Sequence, residues 1–349
     1  MESLGRLTLF VAILCIAVFG LAASAHSADC PEPVGWLPYG EAHAVAVFEG
    51  FAIFGRGTAL VVADVSNPAS PQQVGAVVLP VAMHDRLWDI AVSGGYAYVA
   101  ADESGLRVID ISTPSSPVEV GSVDAIGDAI GVAVSGNHAY VATSTGLRVI
   151  DVSTPALPFE VGSVGIPGRA LGVAVSGGYA YVAQSSYPSA NDSGLHVIDV
   201  STPESPIEVG FVDITGSPGV AWRVSVSGGH AYVAGWVEGL RVIDVSTPES
   251  PIEVGFVDGV AFDVTVSGGY AYVAALEDGL RVVDVSTPAN PIEVGFYVPR
   301  GEVVNIAAFG DSIYAAAGRA GLEIFSPLSC PGYVPTQPVP RRGSGRRTP

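Results

Sequence analysis

The sequence predicts an all-β chain, a seven-bladed β-propeller of four-stranded antiparallel blades, and three observations carry that prediction. The first is a repeat. GLRVIDVSTP or a close variant stands at 105–114, 146–155, 194–203, 239–248 and 279–288, with degenerate copies at 58–68 and 321–327. The Asp of this phrase falls at 64, 110, 151, 199, 244 and 284, at spacings of 46, 41, 48, 45 and 40. The second is a companion phrase, VSGGYAYVA, ahead of each copy at 92–100, 134–142, 175–183, 226–234 and 266–274, with degenerate forms at 47–55 and 308–316. The third is the absence of any sustained 3.6-residue apolar period, so helices are not expected. Units of this length holding four short strands each are propeller blades.

Each unit reads as strand a (IAVS or GVAVS), strand b (YAYVA), strand c (GLRVIDVS) and strand d (PxEVGxV). Val, Ile and Tyr favour the extended chain. Gly supplies the positive φ of the a–b hairpins, and Asp-x-Ser-Thr-Pro offers side-chain oxygens to a turn that Pro pre-sets. This architecture explains the mean hydropathy of +0.45. A blade is covered on both faces by its neighbours, so its strands can be apolar on both faces without a bilayer. The 349 residues carry 34 Asp and Glu against 15 basic residues, all Arg, a net charge of −19. Such an acidic chain is a poor match for nucleic acid, which needs clustered Lys and Arg.

The ends read differently from the repeats. Residues 7–25 are apolar, follow Arg6 and finish Ala23-Ser24-Ala25, the pattern of a secretory signal peptide over residues 1–25. The expected mature protein is therefore exported, to the periplasm, the cell surface or the medium, with no membrane anchor after cleavage. Residues 331–349 are Pro/Arg-rich with little to bury and read as a disordered tail. Between them, the propeller of residues 26–330 holds ten Arg against 33 acids, a net −23. The segment 30–37 (CPEPVGWL) aligns with strand d, and the last unit lacks a strand d. The N-terminal strand should therefore complete blade seven. On that alignment Cys30 and Cys330 fall two residues apart in one c–d turn, which suits a disulfide in an exported chain. Two free thiols are the alternative.

GLRVIDVSTP resembles the LVIVD repeat, found in exported bacterial and archaeal proteins and associated with β-propellers. The likeness covers residues 31–326, with the first and last units departing most. It implies fold and compartment and brings no established chemistry.

Comparison between units then separates two faces. The a–b turns (SGG) and c–d turns (STPxSP) barely change, whereas the d–a and b–c loops vary in length and residue type. On the variable face, the first residues of strand a should ring the mouth of the central channel: His43, Trp88-Asp89, Ile130, Leu171, Trp222-Arg223, Phe262-Asp263 and Val304-Asn305. Aromatic faces with convergent carboxylates and amides suit sugar or peptide recognition. Two blander readings stay open: the apolar members are one repeated inter-blade position, and Asp89, Arg223 and Asp263 are a salt-bridge set. His43 and His84, with Asp85 and Asp89, gather near the mouth, but no spacing enforces a metal site. The acids before strand c, at Asp102-Glu103, Asp192, Glu238 and Glu277-Asp278, read as turn chemistry, with weak Ca²⁺ binding as the remainder. No nucleophile elbow, HExxH, phosphate loop or CxxC is present. The expectation is a monomeric, non-catalytic propeller binding a protein or glycan at the cell envelope. The alternative is a hydrolase or lyase at the channel mouth.

Overall fold

A computed structural model of the chain describes residues 33–38, 40–82, 85–124, 127–186, 193–214 and 220–325. These form seven four-stranded antiparallel sheets, each ordered a–b–c–d. Blade 2 is typical: Asp89–Ser93, Tyr96–Ala100, Leu106–Asp110 and Val118–Val123. The a strands of successive blades pack against one another all the way round and back from blade 7 to blade 1, so they line the axis.

Blade 7 is composite. Its strands a to c span Asn305–Phe325, and its strand d is Pro33–Leu37, with Leu37 opposite Leu322 and Trp36 opposite Glu323. The clasp expected from the alignment is therefore present. Cys30, Cys330, the leader and the tail lie outside the described residues.

The core is seven layers rather than one centre. Each lies between two adjacent blades; the layer between blades 2 and 3, for example, joins Tyr98, Leu106 and Val108 to Val132, Val141 and Ile150. The layer between blades 7 and 1 joins Leu37, Tyr314 and Ile324 to Val45, Phe54 and Val61. Strand b is buried along nearly its whole length because both its faces meet a neighbour. At ~25 cal/mol per Å² of apolar surface removed from water, this repeated burial is the main favourable term.

The repeated phrases have specific duties. In six c–d turns the Ser N–H two residues on donates to the Asp side chain at 2.8–2.9 Å. Hydrogen bonds from Ser hold the carboxyls of Asp64, Asp151, Asp199 and Asp244 below their usual range. The Gly of each strand d phrase is where one blade seats on the next. A Cβ on Gly75, Gly121, Gly162, Gly210 or Gly255 would overlap the carbonyl oxygen of Pro114, Pro155, Pro203, Pro248 or Pro288 in the following blade. Gly35 of the clasp meets Pro68 of blade 1 in the same way.

Strand c also carries a cation on its outward side. Arg107, Arg148 and Arg241 pair with Glu119, Glu160 and Glu253 of strand d at 3.2–3.4 Å, and Arg281 meets Glu293 likewise. His196 takes the Arg position in blade 4, 2.9 Å from Glu208 and stacked on Phe211.

Candidate functional site

The ten candidate residues divide into an axial floor, a mouth and a side groove, with His84 outside the described residues. The floor consists of Asp89, Arg223, Asp263 and Asn305, all at one position of strand a, where blades 1, 3 and 4 carry Ala44, Gly131 and Gly172. Arg223 crosses the axis, donating to the carbonyls of Trp88 at 2.7 Å, of Ile130 at 3.2 Å and of Leu171. Gly172 leaves room for Arg223, and Gly131 lets strand a of blade 4 approach closely. A Cβ on Gly172 would come within 2.8 Å of the Arg223 Cα, and one on Gly131 within 2.8 Å of the Leu171 carbonyl.

The acids of the floor are occupied too. Asp89 accepts from the N–H groups of Ile90 and Val132 at 3.0 Å, and its carboxylate lies 3.9 Å from Arg223. Asp263 accepts from Val264 N–H, Ile306 N–H and Asn305 Nδ2, each at 2.8 Å. The Asn305 carbonyl oxygen in turn accepts from Val45 N–H at 2.8 Å. Four side chains thus reach the backbone of other blades: Asn305 ties 7 to 1, Asp263 ties 6 to 7, Asp89 ties 2 to 3, and Arg223 ties 5 to 2, 3 and 4. Burial pushes the Asp263 carboxyl up to about 7, against the pull of Arg223 and the Ile306 N–H, with Asp89 adding to the rise.

Above this floor sits the mouth. Ile130, Leu171 and Val220 are buried there, and Trp88, Trp222 and Trp236 pack on them half-exposed. Trp222 lies 4.7 Å from Phe262 and 5.7 Å from Trp236 between ring centres, and Trp236 lies 5.8 Å from Phe262. The result is a three-ring aromatic patch over blades 5 and 6. Trp88 stands apart from this trio, lying under the Arg86 guanidinium at 5.4 Å. The mouth side chains form a repeated inter-blade layer, and Trp88, Trp222, Trp236 and Phe262 each keep part of the ring exposed.

Trp236 was missed from sequence. It lies in a b–c turn at the place of Asp102, Leu276 and Gly318, and these four residues have φ of +52° to +55°. Each uses this conformation to bond the d–a segment of the next blade; Trp236 and Ala261 exchange two hydrogen bonds of 2.8 Å. An aromatic residue in this left-handed conformation is costly. The available signal was that the aligned turns elsewhere hold Asp, Leu and Gly.

The side groove, of about 270 Å³, is lined by Glu41, His43, Asp85, Arg86 and Leu87 beside Gly55 and Gly57. His43 stands 3.7 Å from Glu41, and burial, helped by Arg86, lowers its pKa. Asp85 is buried, accepting from Ser104 Oγ and from Ala82 N–H at 3.2 Å. His43 and Asp85 therefore share this groove and do not join the axial acids. Among the described residues, no group of three or more His, Cys, Asp or Glu is placed to hold a metal ion. Among the same residues, no helix is long and apolar enough to cross a membrane.

Comparison with known proteins agrees with this architecture. The model of the LVIVD repeat matches residues 39–78, 86–125, 126–165, 167–214, 218–259 and 258–298, one stretch for each of blades 1 to 6. No curated protein matches the chain in sequence. Among solved structures, the computationally designed Ika8 protein is similar with a TM-score of 0.60 at 10% identity, over 84% of this chain and 98% of that one. BamB from Moraxella catarrhalis gives 0.56 at 13% identity, over 82% and 83%. Raptor from Chaetomium thermophilum gives 0.66 at 9%, over 83% of this chain but 28% of Raptor. At these identities the likeness concerns the fold alone.

Proposed function

The chain belongs to the LVIVD repeat family, and we propose that it is an exported, non-catalytic interaction module of the cell envelope that binds a protein or glycan through its variable face. The observation that carries this reading is the half-exposed Trp222–Trp236–Phe262 patch, set on a rigid floor at the centre of the face whose loops differ between units. Large rings held in place offer contact area at little entropic cost. The competing hydrolase or lyase reading needs acids and bases converging on one reacting atom. Asp89 and Asp263 instead spend their oxygens on neighbouring backbone N–H groups, and His43 belongs to a separate groove.

Export is supported by the leader pattern of residues 1–25, and a Cys30–Cys330 bond by the register of the clasp, which brings the two segments flanking those cysteines into one sheet. Non-reducing peptide mapping of the secreted protein should find the two cysteines in one linked peptide; two alkylatable thiols would exclude the bond. A glycan array and a peptide-display screen, run in parallel with wild type and the Trp88→Ala/Trp222→Ala variant, test the binding site. Hits that weaken at least tenfold in the variant support the variable face. Hits indifferent to it move the site elsewhere.

A further inference from the structure

The charge around the aromatic patch narrows the partner class. Exposed carboxylates lie on the loops of blades 5 to 7 around it: Asp258, Glu277, Asp278 and Glu302. Their placement follows from the backbone. Asp258 precedes Gly259, which bridges to Glu238 two residues beyond Trp236. Glu277 and Asp278 follow Leu276, the counterpart of Trp236 one blade on, and Glu302 precedes Val303, which Leu276 bonds. No side chain of these four takes part in a hydrogen bond or ion pair among the described residues. Several cations of this face, by contrast, are engaged. Arg86 lies on Trp88, Arg300 on Trp36, Arg169 pairs with Asp128 and Arg319 with Glu41.

An apolar centre inside an uncompensated negative border calls for a partner with positive charge flanking an apolar anchor. A second copy of this chain fits poorly, because it would oppose like charges. A small polyamine would meet the border and leave the rings bare. We propose that the variable face receives a cationic polypeptide segment, its Arg or Lys side chains on the acidic border and an aromatic or aliphatic side chain on the Trp222–Trp236–Phe262 patch. This rests on the reading that the variable face is the binding surface. Electrostatic attraction of this kind raises the association rate and weakens as salt shortens its reach.

The test uses the full chain and three synthetic decapeptides that share two tryptophans and differ elsewhere in carrying Arg, Ser or Glu. The Arg peptide should bind one to one, at least tenfold more tightly than the Ser peptide and with the Glu peptide weakest. The D258N/E277Q/D278N variant, altered at exposed positions, should lose at least tenfold in affinity for the Arg peptide at low salt and little at high salt. Equal binding of the Arg and Ser peptides, both weakened by W222L, would overturn the cationic partner and leave the variable-face reading standing. Arg-peptide binding unmoved by either the acidic or the W222L variant would overturn both. The chain's own Arg-bearing segment is a rival occupant: a synthetic peptide of residues 333–349 binding more tightly than the Arg decapeptide would replace an external partner with an internal one.

Discussion

At the outer edge, Gly121 of blade 2 seats against the Pro155 carbonyl of blade 3, and the same glycine–proline contact recurs between five other pairs of neighbours. At the axis, the equivalent position of strand a is Ala44, Asp89, Gly131, Gly172, Arg223, Asp263 and Asn305 in turn; Asp89, Asp263 and Asn305 each accept from the same N–H of the next blade, whereas the reach of Arg223 to three carbonyls occurs once. Identical contacts hold any blade to any other, so they give strength without order. The unlike residues of the axis favour one order, since Arg223 packs where Gly172 leaves room and its three carbonyl acceptors belong to blades 2, 3 and 4. A chain of near-identical units needs such marks against misordered or swapped blades.

The contrast predicts graded effects. Arg223→Met should cost most, ~3–5 kcal/mol, because it strands carbonyls of blades 2 to 4 and leaves buried acids without their counter-charge. Urea unfolding should report the loss, and hydrogen exchange should rise together across blades 2 to 5. A loss under 1 kcal/mol would make the axis a minor tie.

Asp263→Asn should act through pH. With its pKa raised to about 7 from an ordinary 3.8, Asp263 stabilises the fold fully below pH 3.8, and that contribution fades as pH rises through 7. The scale is on the order of 4 kcal/mol at most. The turn acids Asp64, Asp151, Asp199 and Asp244 work in the opposite sense, stabilising above their usual range and losing that support as pH falls below it. Between pH 4 and 7 the stability of wild type should therefore decline with pH while that of Asp263→Asn stays flatter. Parallel curves would remove Asp263 as the cause.

Gly121→Val should cost ~3 kcal/mol by forcing two blades apart. Gly94→Ala, at φ +59° with open space around it, should cost about 1 kcal/mol from backbone strain alone. Equal losses would mean that conformation, not seating, explains the strand d glycine. Smallest of all, Arg107→Gln at the rim should shift stability by ~1 kcal/mol or less, since such pairs face solvent on one side.

Much of this could be read from sequence because the fold is repeated. Seven aligned copies expose strand boundaries, the Asp–Ser turns and a missing strand d in the last unit that Pro33–Leu37 supplies. The axial position was legible as a place, but not as a function. The partners of Asp89, Arg223 and Asp263 are backbone groups of other blades, up to 135 residues away for Arg223 and Trp88, and backbone groups leave no mark in a sequence. Trp236 escaped for a related reason, since its contact with Phe262 joins a turn of one blade to strand a of the next. The seating role of the strand d glycines likewise appears only once neighbouring blades are packed.

Hydroxyl-radical footprinting of the protein with the tightest-binding glycan or peptide from the paired screens tests most directly whether binding belongs to the variable face. Protection should fall on Trp222, Trp236 and Phe262 and on the b–c and d–a loops of blades 5 to 7, with the Ser-Thr-Pro turns unchanged. Protection confined to those turns or to the outer strands would contradict it.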